Sequence, residues 1–196
     1  MMVLKEVTTK REMRDFVKLP AQLHSDSPYY VPPIWFDEKT AYYGRKNPIL
    51  SNSDFILYIL YDESGRPVGR TIAYIDFNHN RFYKAKIGFF GAFECIDDSE
   101  AAGILVEAAE KWSREKGMDS IRGPIHPVAE NWGFVFEGYD STPMYMSPWN
   151  PSYYHEFFVG YKKAKDLLVY EADMRKGYKL PEPGWKKHHL PIFSRV

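Results

Sequence analysis

The chain has 196 residues, enough for one well-buried core and short for two domains, and no Gly/Ser-rich stretch or shift in composition divides it. Its 26 basic and 26 acidic residues cancel, so no global field draws it to nucleic acid or an anionic membrane. Its one cysteine, Cys95, excludes an internal disulfide and a cysteine-cluster metal site.

In chain order, residues 3–7 read as a short strand. Thr8 or Thr9 is placed to cap a helix from Lys10, with Met13, Phe16 and Val17 on one face and Pro20 near its end. Residues 25–34 carry Pro28, Pro32 and Pro33, which push their predecessors toward extended backbone, so an ordered loop is expected. A short helix over 35–42, stopped by Gly44, follows. Residues 55–61 and 67–77 are apolar, aromatic and β-branched runs around the turn Asp62-Glu63-Ser64-Gly65, hence a hairpin. Asn78-His79-Asn80 reads as a turn. Residues 86–95 form a third strand, in which Gly88 and Gly91 imply a bulge or the close approach of another backbone.

The strongest helix comes next. Ala101, Ile104, Leu105, Ala108 and Trp112 make one apolar stripe, Asp97 with Glu100 three residues on resembles a capping box, and Gly117 is a stop. Residues 120–124 then read as a strand returning parallel to the preceding one. Residues 125–149, broken by Pro127, Gly133, Gly138, Pro143 and Pro148, are a long loop of the kind that covers a site. Asn150 as cap and Pro151 at the first position predict a helix over 152–159, ended by Gly160. Residues 165–173 are the expected last strand. From Met174 on, Pro181, Pro183 and a basic, aperiodic composition predict a peripheral tail, so the expected layout is one domain over 1–173 and a tail over 174–196.

Within the long loop, His126, Glu130 and Asn131 lie beside Trp132 and Tyr139, a set suited to a small-ligand pocket or to hydrogen bonding inside the loop. His188 and His189 are adjacent and diverge in any regular structure, so no metal site is expected.

The element order resembles the GNAT acyltransferase fold. The local pattern is similar too, from Leu105-Val-Glu-Ala-Ala-Glu-Lys-Trp112 through Gly117 to Tyr154 and Gly160-Tyr161. A further likeness is to a group of bacterial GNAT-like proteins. It rests on Val31-Pro32-Pro33, Asn47-Pro48, Val68-Gly69-Arg70, Gly88-Phe89-Phe90-Gly91-Ala92-Phe93-Glu94, Arg122-Gly123-Pro124 and Asn150-Pro151-Ser152-Tyr153-Tyr154.

The resemblance implies an α/β (α+β) fold, with a mixed, mostly antiparallel central sheet and helices on both faces. It implies acyl transfer from a CoA thioester to an amine, with acetyl-CoA or another acyl-CoA as co-substrate and no tightly bound cofactor. Gly91, Ala92 and Phe93 would run beside the pantetheine arm, and Asp98, Ser99 and Ala102 would face the pyrophosphate. Glu156 takes the position of the family's usual acid, four residues before Gly160, with Tyr154 and Tyr153 beside it. His126, Asn131 and Tyr153 would hold the acceptor.

The pyrophosphate motif departs from the family pattern, for only Ala102 fits it. Asp97, Asp98 and Glu100 occupy the first turn, and a like charge at ~6 Å costs a phosphate about 3 kcal/mol at an effective dielectric of ~20. Two alternatives therefore stay open: a catalytically silent GNAT-fold module that binds a ligand or protein, and an acyltransferase with a non-CoA donor. The expected partner is a small-molecule substrate, not nucleic acid or membrane, with a homodimer left open. The first residues lack a leader pattern and no apolar run reaches the roughly 18 residues of a spanning helix, so the expected place is cytoplasmic.

Overall fold

A computed structural model describes residues 1–128, 132–144, 147–171 and 186–195. Seven strands form one sheet: β1 Val3–Glu6, β2 Ser53–Tyr61, β3 Pro67–Asp76, β4 Ile87–Cys95, β5 Ser120–Gly123, β6 Lys162–Glu171 and β7 Lys186–Arg195. Their order is β1-β2-β3-β4-β5-β7-β6, antiparallel throughout except the parallel pair β4–β5. Four helices accompany it: α1 Lys10–Leu23, α2 Trp35–Ala41, α3 Phe77–Tyr83 and α4 Ser99–Glu115. The mixed sheet with helices on both faces is the expected fold class.

Each face has its own core. Ala101, Ala102, Leu105 and Ala109 of α4 pack with Phe90, Phe93, Tyr154 and Phe158 on one side. Phe16 and Val17 of α1 pack with Tyr42, Ile59, Ile72 and Ala92 on the other. The buried row of α4 runs through residues 101, 105, 109 and 113, so Ala108 and Trp112 flank it rather than centre it.

Local chemistry explains the element ends. Thr9 Oγ1 accepts from the Glu12 N–H, and the Glu12 carboxylate accepts from the N–H groups of Thr8 and Thr9, which closes a capping box and holds that carboxyl at about 2. The α4 cap is Asp98, not Asp97: its Oδ1 accepts from Glu100 and Ala101 N–H. Gly117 follows α4 at φ 79°, the left-handed stop that a residue with a Cβ rarely adopts.

Pro20 lies near the end of α1, which runs to Leu23, as expected. Four expectations are corrected. The turn expected at 78–80 is α3, because Asp76 caps it through Asn78 and His79 N–H and the Asn80 amide is occupied by Ile87 rather than by a local turn. Asn150 does not cap the segment that follows: its Oδ1 accepts from Val135 N–H, and Ser152–Phe158 is a 3-10 helix. The last expected strand starts earlier, at Lys162. The tail expected from 174 contains β7, which lies between β5 and β6. Beyond its three-residue pairing with β5, β7 bonds only β6, so Pro191 falls where no second neighbour needs its missing N–H.

Candidate active site

Strand β3 buries one charged side chain, Arg70, which is 3% exposed and stands opposite Glu94 of β4. A guanidinium out of water must be neutralised and hydrogen-bonded. Three elements meet that demand. Pro20 has no N–H to offer the Phe16 carbonyl four residues back, and Arg70 Nη1 donates to that oxygen instead at 2.8 Å. Both Nη atoms reach Glu38 Oε1 of α2 at 3.3 Å, and Nη2 lies 3.9 Å from Glu94 Oε1. The Phe16 ring lies 4.9 Å beneath the cation. Burial works against the charge, but Tyr42, Glu38 and Glu94 raise the Arg70 pKa above its ordinary value.

From Arg70 a relay runs outward. Burial opposes the Glu38 carboxylate, yet Arg70, then His126 and the Tyr42 hydroxyl, keep it below the ordinary carboxylate range. Being ionised, Glu38 accepts a hydrogen bond from the Tyr42 hydroxyl at 2.8 Å. The Tyr42 oxygen is then left to accept from His126 Nε2–H, also at 2.8 Å. That chain assigns the His126 tautomer: the proton is on Nε2 and Nδ1 is a bare acceptor. Among the described residues, Nδ1 is buried and has no hydrogen-bond partner. Burial, helped by Arg70, pushes the His126 pKa down from 6.5 to about 4, so the ring is neutral at pH 7.

Glu94 is less neutralised than Glu38. It accepts at Oε2 from the Tyr154 hydroxyl at 2.9 Å, and the same oxygen lies 2.7 Å from His24 Nε2. His24 is 4% exposed and packs edge-on against Trp149, and Tyr30 packs against both. The Tyr30 hydroxyl is buried without a hydrogen-bond partner among the described residues, and burial, with Glu94 behind it, raises its pKa. Two carboxylates thus face one guanidinium, with His24 set against the second of them.

The backbone around Glu94 is irregular. Arg70 pairs with Glu94 but Ile72 pairs with Gly91, so Thr71 faces both Ala92 and Phe93, a bulge with Ala92 at φ 47°. β5 pairs with β4 only over Ile87–Phe89, and the two diverge after Ile125 N–H donates to Phe90 O at 2.7 Å. Beyond the divergence, side chains of the 3-10 helix complete β4. Cys95 N–H donates to the Tyr154 hydroxyl at 2.8 Å, and the Tyr153 hydroxyl donates to Cys95 O at 3.0 Å. A Cβ on Gly91 would lie 2.1 Å from the Ile125 carbonyl oxygen, the close backbone approach its sequence position implies.

The structure brings Tyr154 and His126 into one buried cluster and sets Tyr153 beside it. Glu156 is exposed on the 3-10 helix, and Asn131 lies outside the described residues. Ala102 faces the α4 core, Asp98 spends its carboxylate on the cap, and Ser99 is exposed. Gly91, Ala92 and Phe93 are buried along the bulge. Sequence reasoning missed His24, Tyr30, Glu38, Arg70 and Glu94. The available signal was a lone charge inside each of two apolar strands, Arg70 in β3 and Glu94 in β4. Among the described residues, no group of three or more His, Cys, Asp or Glu is placed to hold a metal ion, and no helix is long and apolar enough to cross a membrane.

No family model matches the chain. It is 32% identical over 166 residues to protein YghO of Escherichia coli, covering 82% of this chain and 42% of that protein. It is also 32% identical over 171 residues to a bacterial ceramide synthase of Caulobacter vibrioides, covering 85% of this chain and 44% of that protein. The chain thus spans less than half the length of these relatives. Among solved structures, a GNAT-family acetyltransferase of Staphylococcus aureus superposes with a TM-score of 0.55 at 9% identity, covering 100% of this chain and 98% of that one. A GNAT-superfamily phosphinothricin acetyltransferase of Sinorhizobium meliloti, in complex with AcCoA, gives 0.54 at 13% identity over 99% and 87%. A tandem GNAT protein from the clavulanic acid biosynthesis pathway gives 0.57 at 13% identity, with 86% of this chain matching 46% of that one.

Proposed function

The chain has the GNAT fold, and we propose that it carries an N-acyltransferase site centred on Glu94. The observation behind this reading is the buried Glu94–His24 pair beside the bulge of β4, in a cluster with one more carboxylate than guanidinium. An amine reaches an enzyme at neutral pH largely as ammonium, and a buried anionic surplus attracts it. The Glu94–His24 pair accepts the proton that the amine must lose. The nitrogen then attacks the thioester carbonyl carbon. The C–N bond forms, the C–S bond breaks, and the leaving thiolate takes up the second proton that the nitrogen sheds as it becomes an amide. Tyr154 positions Glu94 by donating to Oε2 while its own oxygen holds the Cys95 N–H. His126 Nδ1, stripped of its proton by the relay through Tyr42, accepts from an N–H or O–H of the acceptor.

Ceramide is an amide of a long-chain amino alcohol, and the likeness to a ceramide synthase supports an acceptor of that kind, with a primary amine next to hydroxyls. The donor is an acyl thioester, acetyl-CoA or a longer acyl-CoA. A carrier-bound thioester is the second reading. It is favoured by the first turn of α4, where Asp98 already occupies two helix N–H groups and Asp97 and Glu100 are exposed acids.

The test is thiol release from acyl-CoAs of increasing length, with a long-chain amino alcohol as acceptor. Glu94→Gln should lower kcat by about 100-fold or more, the usual worth of a positioned acid–base group, with the melting temperature retained. Full activity in Glu94→Gln would show that the chemistry lies elsewhere. Absence of both turnover and acyl-CoA binding, with carrier-bound donors also inert, would leave a GNAT-fold module that binds without catalysing.

A further inference from the structure

Helix α2 is built the wrong way round for a surface helix. The side chains that it and its cap turn inward include Glu38 and Tyr42, which complete the Arg70 cluster, while Phe36 on the outer face is 72% exposed. An ordinary amphipathic helix does the reverse. The flanks continue the pattern, with Val31 58% exposed, Ile34 57% and Tyr43 41%. Pro32 and Pro33 stiffen the approach, and Lys18 lies over the ring of Trp35 with its ammonium 3.3 Å from the centroid. Cations are interleaved with these rings: Lys39, Arg45 and Lys46 are exposed. The acids of residues 31–46 are two, and only Asp37 faces out, because Glu38 is consumed by Arg70. The whole chain is neutral, so this local excess of positive charge is a feature of the face and not of the composition.

Aromatic and aliphatic side chains among lysines and arginines match a bilayer surface. The rings sit at headgroup depth and the cations meet anionic lipid. We infer that residues 31–46 form a docking face for an anionic membrane surface. Its place directly over Glu38 and Tyr42 gives it a use: an amphiphilic acceptor leaves the bilayer beside α2 and meets the Glu94 cluster beneath. That use rests on the proposed N-acyltransfer; the docking does not, and it is tested without turnover.

The test is co-sedimentation of the full chain with phosphatidylcholine vesicles, with and without phosphatidylglycerol. The wild type should bind the mixed vesicles, release them as salt rises, and leave pure phosphatidylcholine largely unbound. The double variant Ile34→Ser/Phe36→Ser and the triple variant Lys39→Glu/Arg45→Glu/Lys46→Glu should each lose at least tenfold in partition, with unchanged melting temperature. Thiol release with a short, soluble donor and acceptor should persist in both, which separates failure of docking from failure of the catalytic reading. Equal binding by the variants, or no binding by the wild type, overturns the inference. So does a wild-type dimer in sedimentation equilibrium that Ile34→Ser/Phe36→Ser makes monomeric without any vesicle binding; the face would then belong to a second copy.

Discussion

At the scale of single residues, the cluster is held by one cation. Arg70 answers to Glu38, Glu94 and the Phe16 carbonyl that Pro20 leaves free. Arg70→Met removes the charge but not the carboxylates, so it should cost about 3–5 kcal/mol in chemical denaturation, the price of leaving a buried ion uncompensated. A variant that also carries Glu38→Gln should recover part of that loss. His126 sets the pH behaviour. Its folded pKa lies at about 4 against 6.5 in the unfolded chain, with Glu38, Arg70 and Glu94 facing it. The unfolded chain therefore takes up a proton that the folded chain refuses. Stability is full above pH 6.5 and falls between about 6.5 and 4, by about 3 kcal/mol at most. Denaturation midpoints across that window should flatten in His126→Asn; an unchanged slope would assign it to another group. His126 and Tyr154 were legible from sequence as loop and helix residues near aromatics. Glu94, His24 and Glu38 were not, because 70 residues separate Glu94 from His24 and only the fold makes them neighbours.

Local physics makes most of the elements readable at the next scale, and the exceptions have local causes. The hairpin of β2 and β3, the capped α1 and the β4–α4–β5 crossover follow from alternation, caps and one stop glycine. Asn78-His79-Asn80 misleads because asparagine favours turns, yet here Asp76 supplies the cap that lets a helix start. The bulge of β4 is signalled by Gly91, whose missing Cβ is the space the Ile125 carbonyl occupies. Gly91→Ala should force Ile125 away from β4 and break the Ile125-to-Phe90 bond; a loss of several kcal/mol is expected, since backbone cannot yield as a side chain does. Faster exchange at the Ile125 amide would locate the damage. At α4 the acids and the cap separate cleanly. Asp98→Asn keeps an oxygen for Glu100 and Ala101 N–H and drops a charge. Combined with Asp97→Asn and Glu100→Gln, it should tighten acyl-CoA binding by about tenfold or more in calorimetry while leaving stability within ~1 kcal/mol. Unchanged affinity would mean that the donor does not approach this helix end.

Across the whole molecule, what sequence cannot carry is pairing between distant strands. Residues 186–195 have a proline, two adjacent histidines and four further basic or polar positions, and nothing local marks them as part of a sheet. Yet β7 supplies the link by which β6 joins the rest: β5 pairs with β7 at residues 193–195, and β6 pairs with β7 along its whole length and with no other strand. The order β5-β7-β6 puts the last strand inside the sheet, so its stability comes from two partners rather than from its own alternation. Ending the chain at residue 173 would leave β6 as a lone ribbon with its hydrogen bonds exposed and would take β7 from β5, while β1 to β4, both cores and the Arg70 cluster keep every contact described for them. The shortened chain should therefore lose amide protection over residues 162–171 and at the free edge of β5, and retain it across β2 to β4. Its far-ultraviolet spectrum should show less strand, and its Glu94-dependent thiol release should persist within severalfold. Complete loss of protection in β3 and β4 would instead mean that the sheet folds as one unit whose last strand is indispensable.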